Sequence, residues 1–261
     1  MGFIVSNGKK PPLVEAIFEI RWGTPIRDKG VVEFKFDEED STLFAGVFRS
    51  IAQSDFPVYK KVNEGVPPIV PHFVKHQFWT GKDVWPCLQA GLGIVTANQV
   101  EAGYSWSRFR ATCVKALEFL DRAHHQGLGG LPAIGVELRY QDAFELTDGE
   151  SDSKFVENRA QVIVKTPDAF LKSPFLDPVI EDHHINFTVP VRKPPGILVN
   201  QLDRGLAGGR AAFIATTTLR SADAQRPEFS LSALADWLDQ AHEIQRHAYE
   251  TLIRPTNERA P

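Results

Sequence analysis

Residues 13–22 read Leu-Val-Glu-Ala-Ile-Phe-Glu-Ile-Arg-Trp, and residues 136–140 read Val-Glu-Leu-Arg-Tyr. The core of the first stretch, Phe18-Glu19-Ile20-Arg21-Trp22, returns in the second as apolar, Glu, apolar, Arg, aromatic. Alternation with a period of two is the mark of a strand with one buried face. Phe18, Ile20 and Trp22 belong to that face, and Glu19 and Arg21 to the other. Pro11-Pro12 holds the backbone extended at the entrance, and Gly23-Thr24-Pro25 ends the run.

Outward from these two strands, the same order of elements follows twice. After the first, Leu43, Phe44, Val47, Phe48 and Ile51 recur at helical spacing, with Ser41 as a helix start, and Val31 to Phe36 adds a short edge. A proline-rich connection (Pro67, Pro68, Pro71) leads to strand-like runs over 73–79, 84–90 and 94–98. The turns between them, Thr80-Gly81-Lys82-Asp83 and Gly91-Leu92-Gly93, are short enough to require antiparallel neighbours. Ser105 caps a helix whose apolar stripe is Trp106, Phe109, Cys113, Ala116, Leu117 and Leu120, stopped by the glycines at 127–130.

After the second strand, 134–140, an acidic stretch over 147–153 leads to a short helical region around 155–160 and a run over 161–165. Three strand-like runs follow at 184–191, 197–202 and 212–219, with Gly205, Gly208 and Gly209 read as a longer hairpin loop. The last helix, 231–253, has Leu234, Trp237, Leu238, Ala241, Ile244, Ala248, Leu252 and Ile253 as its inner face and ends before Pro255. From first strand to closing helix, Ser105 lies 92 positions after Leu13 in one half and Ser230 lies 97 positions after Ala133 in the other. Equal order and near-equal spacing predict an α+β fold of two tandem β-α-β-β-β-α repeats, residues 1–130 and 131–261, forming one compact unit. Its curved antiparallel sheet would pack under helices about a pseudo-twofold axis, in a TATA-binding-protein-like topology.

The stretch Pro11 to Trp22 resembles the opening signature of a sporadically distributed, mostly bacterial family of proteins of similar length. The likeness extends to Tyr104-Ser105-Trp106-Ser107-Arg108-Phe109 and to Trp237-Leu238-Asp239-Gln240-Ala241-His242-Glu243 through Tyr249-Glu250. The family has no assigned activity, so the resemblance implies none. Its scattered distribution is that of accessory genes such as phage-defence or toxin-antitoxin components.

Composition narrows the classes of function. Apolar residues make up 43% and charged ones 24% of the 261, the balance of an ordinary globular chain. The net charge of -4 divides into about +1 over residues 1–130 and about -5 over 131–261. Neither half is the basic platform that duplex binding needs, so nucleic acid is an unfavoured partner. No apolar run is long enough to span a membrane and no secretory segment opens the chain, so the expectation is a cytoplasmic protein with no membrane partner. Gly2 to Ser6 fits the loose myristoylation pattern. Cys87 and Cys113, too few for a disulfide framework, are read as reduced and buried.

Glu19, Arg21, Glu137 and Arg139 are the candidate ligand-binding residues, since the duplication brings the two first strands into related positions. The expectation is that Glu19 meets Arg139 and Glu137 meets Arg21 as cross-strand pairs, either a structural salt-bridge ladder or a polar cleft at the axis. The spacing of four puts His72 and His76 on one strand face, and Asp182 precedes His183-His184, which offers a metal site as an alternative. With His124-His125, His242 and His247 there is still no HExxH or Cys/His cluster, so no metal or cofactor is assigned. No G-x-S-x-G elbow or phosphate-binding glycine loop is present, and no catalytic residue is assigned. Phe78, Trp79 and Trp85 cluster at one turn with Lys75 and Lys82 nearby, and read as core packing or a protein interface. The leading reading is a non-catalytic module that binds a small ligand or a protein partner, with a homodimer also compatible. A nucleic-acid binder using the concave sheet and a hydrolase with a site at the Glu/Arg set are the alternatives.

Overall fold

Leu13–Arg21 (β1) lies at the centre of a nine-stranded antiparallel sheet in the computed structural model. The structure describes residues 13–28, 31–36, 38–67, 70–82, 84–127, 134–147, 149–160, 162, 172–175, 184–222 and 229–252. The N-terminal Gly2 to Ser6 pattern and nearly all of the run at 161–165 lie outside them.

In chain order the remaining strands are β2 (Thr24–Asp28), β3 (Val31–Lys35), β4 (Val58–Lys61), β5 (Val74–Trp79), β6 (Cys87–Gly91), β7 (Ile94–Val100), β8 (Gly135–Glu145), β9 (His184–Val191), β10 (Gly196–Ala207) and β11 (Arg210–Ser221). The described helices are α1 (Glu38–Ala52), α2 (Trp106–Gly127), α3 (Asp152–Asn158) and α4 (Leu231–Leu252). The large sheet runs β4-β5-β6-β7-β1-β8-β11-β10-β9, so one sheet crosses both halves of the chain. β1 pairs with β7 on one side and β8 on the other, both antiparallel.

The alternation of β1 decides which side the helices take. Phe18 and Ile20 are fully buried, and across the strands they face Ala97 and Val95 of β7 and Leu138 and Val136 of β8. All of these join one core with Phe44 and Phe48 of α1, Phe109, Leu117 and Leu120 of α2, and Leu234 and Leu238 of α4. Phe155 and Val156 of α3 pack on the same side, over Phe144, Phe213 and Leu202 in a smaller cluster. All four described helices therefore cover the face of Phe18, and none of them covers that of Glu19. Burial of an aromatic or aliphatic side chain stabilises by roughly 1.5–3 kcal/mol, so this shared core is the main force holding the halves together.

Several elements differ from the sequence reading. Val31–Lys35 does not extend the sheet's edge but pairs with β2 in a separate two-stranded hairpin, and no sequence signal announces β4. The first strand of the second half runs to Glu145 rather than Tyr140, because the alternation continues through Asp142 and Phe144. The glycines at 205–209 are not a long loop: Gly205 is a sheet residue opposite Ala212, and Gly208-Gly209, with φ of 56° and 81°, forms a two-residue turn. Two successive positive φ values match the right-handed twist of a hairpin, and glycine reaches them without strain.

Candidate functional site

Glu19, Arg21, Glu137 and Arg139 do gather on one face of β1 and β8, the face opposite the described helices. Their register corrects the expected pairing. Glu19 stands directly opposite Glu137, Arg21 opposite Gly135, and Arg139 opposite Ile17. The opposite-sign residues are thus diagonal neighbours, offset by two positions. The reason lies in the echo itself: Phe18 faces Leu138 and Ile20 faces Val136, so each glutamate meets its counterpart instead of the arginine beyond it.

Glu19, with 7% of its surface exposed, is held by the Arg21 guanidinium of its own strand at 2.5 Å. Glu137 is held above the usual carboxylate range, first by burial and then by the Glu19 carboxylate, against the pull of Arg139, Arg21 and Arg220. Arg220, opposite Glu137 on β11, is the cation that motif reading missed. It lies outside both echoed strands, and only the sheet order brings it in.

Arg139 is the least satisfied member. Opposite Thr218 on β11 and Ile17 on β1, its Nε is buried and has no hydrogen-bond partner. A guanidinium presents five donors in a planar fork suited to carboxylate or phosphate oxygens. Towards β7, the same face carries Thr96 and Asn98, both buried; Thr96 donates to Asn98 Oδ1 at 2.6 Å and Asn98 donates to Glu15 at 2.9 Å. Cys87 of β6 lies across from Asn98, and burial pushes its thiol up to about 12, so it is protonated and a poor nucleophile.

A second polar constellation, unforeseen in the sequence, sits under the helices. His242 of α4 lies flat on the Trp106 indole, with centroids 3.8 Å apart and planes 7° from parallel. Its Nδ1 is 3.0 Å from the Tyr140 hydroxyl, which is 2.9 Å from that of Tyr104. Burial depresses the imidazole to about 4, so it is neutral at pH 7. Asp142, one pleat beyond Tyr140, is raised to about 7 by burial alone. The signal available was the helical spacing of His242 and Gln245 with Leu238 and Ala241, hidden by treating polar residues as outward-facing.

The other histidines are dispersed. His72 precedes β5 with a positive φ of 58° and bonds Trp22 O through Nε2, whereas His76 is on β5 beside the Tyr59 hydroxyl, so they do not share a strand face. Among the described residues no three His, Cys, Asp or Glu side chains gather to hold a metal ion. Phe78 is in the core, and Lys75 is buried with its ammonium donating to Asn63 O and Val66 O, so it is not aimed at a ligand on the sheet. Cys87 and Cys113 are free and buried. No described helix is long and apolar enough to cross a membrane. No protein-family model, curated protein or solved structure matches the chain.

Proposed function

We propose that the chain is a non-catalytic binding module that holds a small anionic molecule on the sheet face opposite the described helices, where β1 meets β8. The observation that carries this reading is the buried Arg139 Nε without a hydrogen-bond partner, on a face that also bears Arg21 and Arg220. An unpaired buried donor costs free energy that an acceptor oxygen would recover. The raised Glu137 carboxyl suits the same ligand, since in its protonated form it donates a hydrogen bond to an anion.

The architecture behind this reading is a duplication. Support comes from the sheet order, in which β5-β6-β7-β1 is answered by β8-β11-β10-β9, with the two first strands side by side at the middle. In this view the site lies at the join of two β-α-β-β-β-α units, as in TATA-binding-protein-like folds. The proposed kinship with the bacterial family of the Pro11 to Trp22 signature leaves the ligand open.

The test is calorimetric titration of the purified protein with inorganic phosphate, succinate and a nucleoside monophosphate, repeated on Arg139→Ala. The expected result is one bound anion per chain, weakened about 10- to 100-fold in the variant by the loss of a charge-assisted hydrogen bond. Binding unchanged in Arg139→Ala, or no binding of any probe, overturns the proposal. A hydrolase at the same place would instead show turnover in a substrate screen that Glu19→Ala abolishes.

A further inference from the structure

The two edges of the large sheet are unlike each other. β4 is four residues long and ends in the exposed Lys60 and Lys61, a charged, short edge of the kind that discourages further pairing. β9 is eight residues long, His-Ile-Asn-Phe-Thr-Val-Pro-Val, and carries no Lys, Arg, Asp or Glu. Among the described residues its single strand neighbour is β10. Six of its eight residues are exposed, including Phe187 at 36% and Val189 at 44%. In the other half, α1 covers the corresponding region, with Phe48 against Phe78 of β5. α3 has only seven residues and packs further in, on Phe144 and Phe213. An apolar stripe on a long, uncharged edge is a template for another strand.

We infer that β9 is the interface between two copies of this chain, joined edge to edge by antiparallel β9–β9 pairing centred on Thr188. The sequence of the strand is self-complementary in that register, as a two-fold axis requires. Thr188 meets its own copy, Phe187 meets Val189 of the second copy and Val189 meets Phe187. These are aromatic to β-branched pairs on one face, the kind that stabilises cross-strand neighbours. Ile185 meets Val191 on the same face. Charge agrees as well. The register sets the exposed Arg192 of each copy opposite His184 of the other, whose imidazole is paired to Asp203 on β10. Each end of the joint thus gains a cation beside a carboxylate. Pro190, which lacks an N–H, falls opposite Asn186 and forfeits at most one ladder bond per copy.

Sedimentation velocity across a concentration series should show a reversible dimer, and Val189→Lys should shift it to monomer while leaving the far-ultraviolet circular dichroism unchanged. Register is read by cross-linking. Residues facing their own copies across antiparallel strands have Cα atoms about 5 Å apart, within disulfide reach, so Thr188→Cys should oxidise to a covalent dimer. Asn186→Cys should not, because its copies are about 13 Å apart along the strands. The native cysteines do not compete, being buried. A chain that stays monomeric at every concentration overturns the inference, as does equal cross-linking of both cysteine variants or a dimer that Val189→Lys leaves intact.

Discussion

Glu19 and Glu137 face each other directly across the two central strands, carboxylate opposite carboxylate. Like charges in that position destabilise a strand pair unless cations intervene. Here Arg21 binds Glu19, and Glu137 is left with weaker attraction from Arg139, Arg21 and Arg220, short of offsetting its burial. The centre of this face is therefore strained in its charged state.

Replacing Glu137 by Gln should stabilise the unliganded protein. Because the folded state holds the Glu137 proton more tightly than the unfolded chain, stability falls as pH rises from the ordinary carboxylate range through its folded value. The gain in Glu137→Gln should be about 0.5–1 kcal/mol at neutral pH and vanish near pH 3, where both states are protonated. Urea unfolding at the two pH values measures it. Destabilisation at neutral pH would mean that the three arginines outweigh burial and Glu19.

Gln245 ties α4 to the sheet from within. Its Nε2 donates to Leu138 O at 2.6 Å and Thr217 O at 2.9 Å, carbonyls on the adjacent strands β8 and β11, while its Oε1 is buried without a partner. Gln245→Leu removes two hydrogen bonds but also the unpaired acceptor, so a loss of about 1–2 kcal/mol is expected. Gln245→Glu should cost more at neutral pH, since it turns a carboxylate towards two carbonyl oxygens. Denaturant midpoints should rank wild type above Leu above Glu, and a Glu variant as stable as Leu would show that the amide does not act as this clamp.

How much of this was legible follows the range of each interaction. The strand and helix order was readable because hydrophobic period is local: Phe18, Ile20 and Trp22 alternate in one short run, and Leu234, Leu238 and Ala241 recur within three turns. Gathering the four central charged residues was readable from the echo. Their register was not, because opposite-sign pairing and like-residue pairing differ by two positions, and only the packed core of Phe18 on Leu138 selects between them. Arg220 and the Tyr104–Tyr140–His242 chain depend on elements distant in sequence. No local pattern announces them.

Gly91 should be intolerant of any side chain. A Cβ added there would lie 2.0 Å from Phe73 O and 3.3 Å from the Ile94 side chain. The nearer atom is backbone next to β5 and cannot swing aside, so the β5–β6 edge must separate. Gly91→Ala should destabilise by about 2–4 kcal/mol, as overpacking against backbone does. Gly46, in α1, is the control, since a Cβ added there meets nothing within 4 Å. Gly46→Ala should stabilise by about 0.5–1 kcal/mol through helix propensity. Thermal unfolding of the two alanine variants should move in opposite directions.

His242 and Asp142 give opposing pH dependences within one region of the core. The imidazole is depressed from 6.5 to about 4, so between those values the unfolded chain binds the extra proton and stability rises with pH. The Asp142 carboxyl is raised from 3.8 to about 7, so over nearly the same interval the folded state binds the extra proton and stability falls with pH. Each slope reaches at most about 1.4 kcal/mol per pH unit, and their contributions largely cancel in the wild type. Asp142→Asn should uncover a stability that climbs with pH up to about 6.5, ending above wild type at pH 8. His242→Gln should show the reverse, a stability that declines from about pH 4 towards 7. The lost Trp106 stacking shifts the whole His242→Gln curve downwards, but it leaves the slope as the readout. Urea midpoints at half-unit pH steps provide the measurement, and three parallel curves would show that neither group is coupled to folding.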